Sequence, residues 1–295
     1  METPKQPLIR IEQLGVRFGS QTVLRDIDIS VNRGDTLAII GESGCGKTVL
    51  LKTIMSLVSP TKGRVVFDDL EFVKLREREL AKQRLRFGFV FQQAALFDSL
   101  TIYENVAFAL REHTNLPESE IRDRVRDRLN EVGLSTQIVT KKPAELSGGM
   151  RKRVGLARAL MMEPEVVLYD EPTTGLDPIM SDVINELIIG TRERHGVTSI
   201  VVTHDMKSAL KIANKIVMLY PIARLGEEDS QILFKGPPEA IESFDDQRVV
   251  QFVRGEARDR IQEMTNNETA TTRKRATSSS ESGAVDSTVE ERDAS

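Results

Sequence analysis

The sequence predicts an α/β fold: a parallel core sheet with helical crossovers, an antiparallel β layer ahead of it, and a helical subdomain inserted between two of its strands. Three observations predict it. Ile27, Ile29 and Val31 alternate with Asp28 and Ser30, the period of a half-buried strand in the opening layer. Short apolar runs at Leu37 to Ile40, Phe87 to Phe91, Val166 to Tyr169 and Ile200 to Val202 are separated by segments long enough for helical crossovers. Residues 94–162, between two of these runs, carry apolar residues at helical rather than strand spacing.

Composition permits this fold and excludes several function classes. The 295 residues form one large or two modest domains at about 150 residues each, enough for a sizeable core. Lys and Arg number 41 against 45 Asp and Glu, a net charge of -4, so no nucleic-acid partner is expected. One cysteine makes neither an internal disulfide nor a four-cysteine zinc site, and His113, His195 and His204 lack metal-ligand spacing. A reducing, cytosolic compartment is expected. There is no run of about 18 apolar residues, and METPKQPLIR has no apolar signal core, so work at a membrane would need another chain as anchor.

Taken in order, the run Leu37 to Ile40 leads into GESGCGKT, and the following VLLKTIMSLV has helical spacing: strand, glycine loop, helix. Gly41 to Thr48 fits G-x-x-x-x-G-K-[ST], which in such a chain arises by chance on the order of once in a hundred. Backbone amides across Gly41, Glu42, Ser43, Gly44, Cys45 and Gly46 can face phosphate oxygens at a helix N-terminus. Lys47 would reach the β and γ phosphates and Thr48 would ligate magnesium. Cys45, beside that helix start and Lys47, is expected to be a low-pKa thiol that MgATP shields from a maleimide.

In the insert, Ile121, Val125, Leu129 and Val132 share one helix face, with Pro117 before it and Gly133 after it. LSGGM, Leu146 to Met150, precedes the helical RKRVGLARAL, so Ser147, Gly148 and Gly149 form a second oxyanion cradle. At VVLYDE a buried strand ends in Asp170, suited to magnesium, and Glu171, suited to orienting a water at the γ phosphate.

A phosphate loop, then LSGGM, then a strand ending Asp-Glu resembles the ABC-type P-loop ATPases across residues 8 to about 240. The resemblance implies ATP and Mg2+ as cofactors and Lys47, Glu171 and His204 as catalytic residues. It implies that Phe18 stacks on adenine and that Gln92, ending FVFQ, touches magnesium and water. It further implies that Asp177 in GLDP links two sites and that His204, after IVVT, contacts the γ phosphate. In that family two subunits pair head to tail and sandwich ATP, so a second copy is an implied partner.

FQQAALFDSLTIYENVAFALREHTNLP, the methionine of LSGGM and DDQRVVQFVRG resemble, more narrowly, the ATPase subunit of Mla-type bacterial transporters, which move phospholipid between the two membranes. That implies a membrane-embedded permease, an MCE-domain lipid-binding protein and a STAS-domain protein as partners. The place implied is the cytoplasmic face of the bacterial inner membrane, held there peripherally. The alternatives are an ATPase of another importer or exporter, for instance for polar amino acids, and a soluble ABC protein. The second usually carries two cassettes or a coiled-coil insertion, and this chain has neither. The expected domains are the ATPase at 8–240, with 94–162 as its helical subdomain, a C-terminal helical extension at 241–263 and a disordered tail at 264–295. Within the extension, Val249, Val250, Phe252 and Val253 are expected to dock a helix from Gln247 to Ile261 on a partner.

Overall fold

A computed structural model describes residues 7–256, and the chain up to Val250 forms one compact unit. Strands β1 (Pro7–Phe18) and β2 (Gln21–Asn32) pair antiparallel, with Ile9 opposite Val31, Ile11 opposite Ile29 and Leu14 opposite Ile27. Ile27, Ile29 and Val31 are buried and Asp28 is exposed, as alternation requires. Strand β3 (Thr36–Gly41) is buried along its whole length, which is why it reads as a continuous apolar run. It feeds the glycine loop and helix α1 (Lys47–Ile54). Strand β4 (Lys62–Phe67) returns to β1, and β5 (Leu70–Glu71) completes a four-stranded sheet in the order β2-β1-β4-β5.

Helix α2 (Glu77–Arg84) and strand β6 (Phe87–Val90) precede three helices, α3 (Ile102–His113), α4 (Glu118–Glu131) and α5 (Gly148–Ala159). Each starts where local chemistry favours it. Thr101 and Glu104 form a reciprocal capping box on α3, Pro117 stands at the N-cap of α4, and the Ser147 hydroxyl accepts from the Met150 amide on α5. Ile121, Val125 and Leu129 are buried on α4, and Gly133 takes φ +67° just beyond its end.

The remainder alternates β7 (Val166–Asp170), α6 (Pro178–His195), β8 (Thr198–Thr203), α7 (Met206–Ile212) and β9 (Lys215–Leu219). It closes with β10 (Ile232–Gly236) and α8 (Gln247–Arg254). The core sheet runs β10-β9-β3-β8-β7-β6; β9, β3, β8, β7 and β6 are parallel and β10 is antiparallel to β9. Its two faces serve two hydrophobic clusters. Val166, Leu168, Ile200 and Val202 pack toward the antiparallel layer with Leu14, Leu50 and Phe67. Val167, Tyr169 and Val201 pack with Val106, Leu129, Leu156 and Ile188 of the helices. Parallel strands bring their carboxyl ends to one edge, where ligands of open α/β sheets bind.

Strands β4, β5, β9 and β10 lie beyond the apolar runs singled out in the sequence; β9 has the same run character, KIVML, and β10 is an edge strand with a mixed pattern. Helix α8 ends at Arg254, and the expected stretch from 257 to Ile261 and the tail 264–295 lie outside the described residues. Val249 is fully buried within the chain itself, which takes it away from the partner-docking face expected of it. No helix among the described residues is long and apolar enough to cross a membrane.

Candidate functional site at the strand ends

The loop after β3 is shaped by two glycines. A Cβ on Gly41 would lie 2.2 Å from the Leu219 carbonyl oxygen, so only glycine lets β3 turn out beside β9. Gly46 has φ +97° and caps α1, and a Cβ there would meet the Val23 carbonyl oxygen at 3.0 Å and Leu24 Cδ2 at 2.8 Å. The first turn of α1 therefore opens into a cleft of about 320 Å³. Ser43, Gly44, Gly46, Lys47 and Thr48 line it, together with Gln92 after β6, Glu171 after β7 and His204 after β8. Residues 43 to 204 in sequence thus converge because four parallel strands end at one edge.

The buried Lys47 ammonium donates to the carbonyls of Gly41 at 2.8 Å and Glu42 at 3.0 Å, and stands 3.8 Å from Oε1 of Glu171. The Thr48 hydroxyl donates to Oδ1 of Asp170 at 2.9 Å. Burial pushes the Asp170 carboxyl above the usual range, opposed by the Thr48 hydrogen bond. Thr48, Asp170 and Gln92 are hard oxygen donors, the chemistry that suits magnesium bound together with substrate phosphates. Among the described residues no group of three or more His, Cys, Asp or Glu side chains is placed to hold a metal ion by itself.

Glu171 sits at φ +49°, a left-handed conformation that a non-glycine residue keeps only when its surroundings fix it. Its amide donates to the Val202 carbonyl at 2.9 Å, and Oε2 lies 2.8 Å from Nδ1 of His204 and accepts from the Thr174 hydroxyl at 3.2 Å. The carboxylate is 11% exposed whereas the His204 side chain is 55% exposed, so the acid is fixed and the imidazole stands at the mouth.

Other residues singled out in the sequence lie elsewhere. Phe18 ends β1, 51% exposed, and does not line the cleft. Ser147 and Gly149 do not line it either, and Gly148 lines a separate cleft with Gln92 and Lys152. The Asp177 carboxylate caps α6, accepting from the amides of Ile179 and Met180 at 3.0 Å each. The Glu42 carboxylate accepts from Nη1 of Arg224 with both oxygens, at 2.9 and 3.0 Å. Cys45 overturns the expectation of a reactive thiol. It is 1% exposed inside the core, and burial pushes its pKa up despite the attraction of Lys47.

Sequence reasoning did not single out Lys152, Arg158, Arg224 and Gln231. Lys152 sits between two arginines in RKR, and nothing local separates it from a solvated charge. Arg158, Arg224 and Gln231 bond backbone groups 63 to 208 residues away or reach across to Glu42, which no local spacing encodes.

Residues 24–174 match the family model described as ABC transporter. The chain is 41% identical over 252 residues to the intermembrane phospholipid transport system ATP-binding protein MlaF of Haemophilus influenzae, covering 85% of this chain and 92% of that one. It is 37% identical over 252 residues to the "probable ribonucleotide transport ATP-binding protein mkl" of Mycobacterium leprae, covering 85% and 70%. A dimeric post-hydrolysis structure of the ATP-binding cassette MJ0796, bound to ADP and Pi, matches with a TM-score of 0.69 at 31% identity, covering 78% of this chain and 98% of that one. With its phosphate loop, Asp-Glu strand end and histidine gathered at one sheet edge, the chain belongs to the ABC transporter family as an ATP-binding, ATP-hydrolysing subunit.

Proposed function

We propose that this chain is the ATPase subunit of an ABC transporter that moves phospholipid between the inner and outer bacterial membranes. It works as a head-to-tail dimer under membrane-embedded permease subunits, peripheral to the cytoplasmic face of the inner membrane. An MCE-domain lipid-binding protein and a STAS-domain protein complete the complex. The observation that carries the phospholipid reading is the 41% identity to a phospholipid transport ATP-binding protein over 85% of the chain.

The site residues divide the chemistry. Amides from Gly41 to Thr48 cradle the phosphates, and Lys47, already aimed at the loop's own carbonyls, exchanges them for β and γ oxygens. Thr48, Gln92 and Asp170 would hold magnesium, Asp170 acting through the Thr48 hydroxyl that it accepts from. A magnesium ion bound there supplies charge neutralisation to the β and γ oxygens. Glu171 orients and polarises the attacking water, while His204, with Nδ1 2.8 Å from Oε2 of Glu171, contacts the γ phosphate. Phe18 stacks on adenine, and the partner's Ser147, Gly148 and Gly149 close over the nucleotide. The separation of Ser147 and Gly149 from the cleft lined by Lys47 supports this composite arrangement. Asp177, on the loop entering α6, links the two sites.

A second reading follows the ribonucleotide transport name of the mycobacterial relative, at the lower identity of 37%. Both readings share every catalytic residue, so the partner and cargo decide. The complex is extracted in detergent by affinity purification of the full chain, and its proteins and bound small molecules are identified by mass spectrometry. Co-purifying permease, MCE-domain protein and phospholipid are expected. A complex carrying ribonucleotide without lipid, or no permease at all, overturns the phospholipid reading.

A further inference from the structure

Helix α5 begins with the LSGG segment and carries one buried cation, Lys152, and one half-buried cation, Arg158, each spent on backbone carbonyls. Lys152 is 8% exposed, and its ammonium donates to the Pro172 carbonyl at 2.8 Å and the Glu171 carbonyl at 3.3 Å. Six residues further on, the Arg158 guanidinium donates to the carbonyls of Ala94 and Ala95, at 2.7 Å each. Three of the four residues so held are backbone outliers. Glu171 has φ +49°, Ala94 +60° and Ala95 +45°. Between the two cations, Gly155 faces Ala94 so closely that a Cβ would lie 3.2 Å from that of Ala94.

Left-handed non-glycine residues persist only where the surroundings over-determine them, and a charged donor on the carbonyl is a strong determinant. Burying a cation is costly, and carbonyls alone repay it incompletely. For Lys152 the charge acting across this contact is the Glu171 carboxylate. A neutral side chain would pack more cheaply if covering the helix were the only task. We propose that Lys152 and Arg158 are positioning residues, tying the LSGG helix to the Glu171 loop and to the loop after Gln92 in the same subunit.

Under the proposed function, on which this inference rests, the start of α5 contacts the nucleotide bound by the opposite subunit. Its two cations then hold the water-orienting acid and the Gln92 loop of the subunit's own site. One rigid helix thereby joins both nucleotide sites of the sandwich, and engagement at one end sets the geometry at the other.

The test uses the purified transporter complex and compares Lys152→Met, Lys152→Arg, Arg158→Met and Glu171→Gln for kcat, ATP KM and nucleotide affinity. Lys152→Met is expected to lower kcat by about 10- to 100-fold, the scale of a misplaced catalytic group, with KM changed less than about twofold. Arg158→Met should follow the same split. Lys152→Arg, which keeps charge and donors, should recover most of kcat. Wild-type kcat in Lys152→Met overturns the inference, and so does a loss of kcat matched by an equal loss of ATP affinity and melting temperature, the sign of a packing role. Should Lys152→Met not assemble, Lys152→Gln carries the same readout and must lower kcat more than affinity. A Glu171→Gln variant that hydrolyses normally overturns the underlying site reading instead, so the two failures are distinguishable.

Discussion

At the scale of single residues, Glu171 is held through its backbone by the Val202 carbonyl and the Lys152 ammonium, and through its carboxylate by His204, Thr174 and the Lys47 ammonium. Glu171→Gln keeps the shape and removes the base. It is expected to lower hydrolysis roughly 10²- to 10⁴-fold while nucleotide binding persists, measured as phosphate release against equilibrium binding of ATP. Lys152 gives a pH signature, because burial lowers its pKa from the ordinary 10.5 to about 8, partly offset by the facing Glu171 carboxylate. Between those two values the unfolded chain binds a proton that the folded chain has lost, so this group makes stability rise with pH in that window. Turnover should move the other way and decline above about pH 8, as charge-assisted bonds to the Glu171 and Pro172 carbonyls become neutral ones. Lys152→Arg should remove that alkaline decline; a kcat profile with an unchanged decline would refute the assignment to Lys152. For Cys45, buried in the core, a maleimide is expected to react only as the protein unfolds, so that MgATP slows labelling only in step with the stability it adds to the fold. Fast labelling of the folded chain, read by intact mass, would contradict that. The motif residues were legible because phosphate chemistry demands glycine, lysine and hydroxyl at fixed short spacing. The thiol was misread because spacing says which charges are near and not which way a side chain turns.

At the scale of elements, strands buried on both faces announce themselves as apolar runs, and β3, β7 and β8 are of that kind. Helix α4 was legible from Pro117, its one apolar face and Gly133. The connection from 221 to 231 between β9 and β10 was not, since its role lies in contacts with chain about 200 residues away. Gln231 is 1% exposed, donates to the Cys45 carbonyl at 3.0 Å and the Val23 carbonyl at 3.1 Å, and accepts from the Arg25 amide at 2.8 Å. It stitches the phosphate loop to β2. Gln231→Ala leaves those buried groups unpaired and should cost about 1–3 kcal/mol in denaturant unfolding, with weaker nucleotide binding. An unchanged unfolding midpoint would show that the loop holds its shape without this side chain.

At the scale of the whole molecule, one subunit gathers Lys47, Thr48, Gln92, Glu171 and His204 in one cleft but leaves Ser147 and Gly149 outside it. Such a surface is half of a site if the LSGG segment of a second copy completes it, and mixed dimers decide this. In a head-to-tail pair, Ser147→Arg on one subunit disables the site built on the other subunit's Lys47, while Lys47→Ala disables the subunit's own. When the two substitutions sit on different subunits, both fall on one site and the second site stays intact. When they sit on the same subunit, both sites are lost. A site confined to one subunit predicts the reverse, because the doubly substituted subunit would then leave its partner whole. With Glu171→Gln in every chain to stop turnover, the measurement is ATP retained per dimer after gel filtration. Retention is expected when the substitutions are on different subunits and loss when they share one. The opposite pattern would assign the LSGG segment to its own subunit's nucleotide and remove the sandwich from this protein's mechanism.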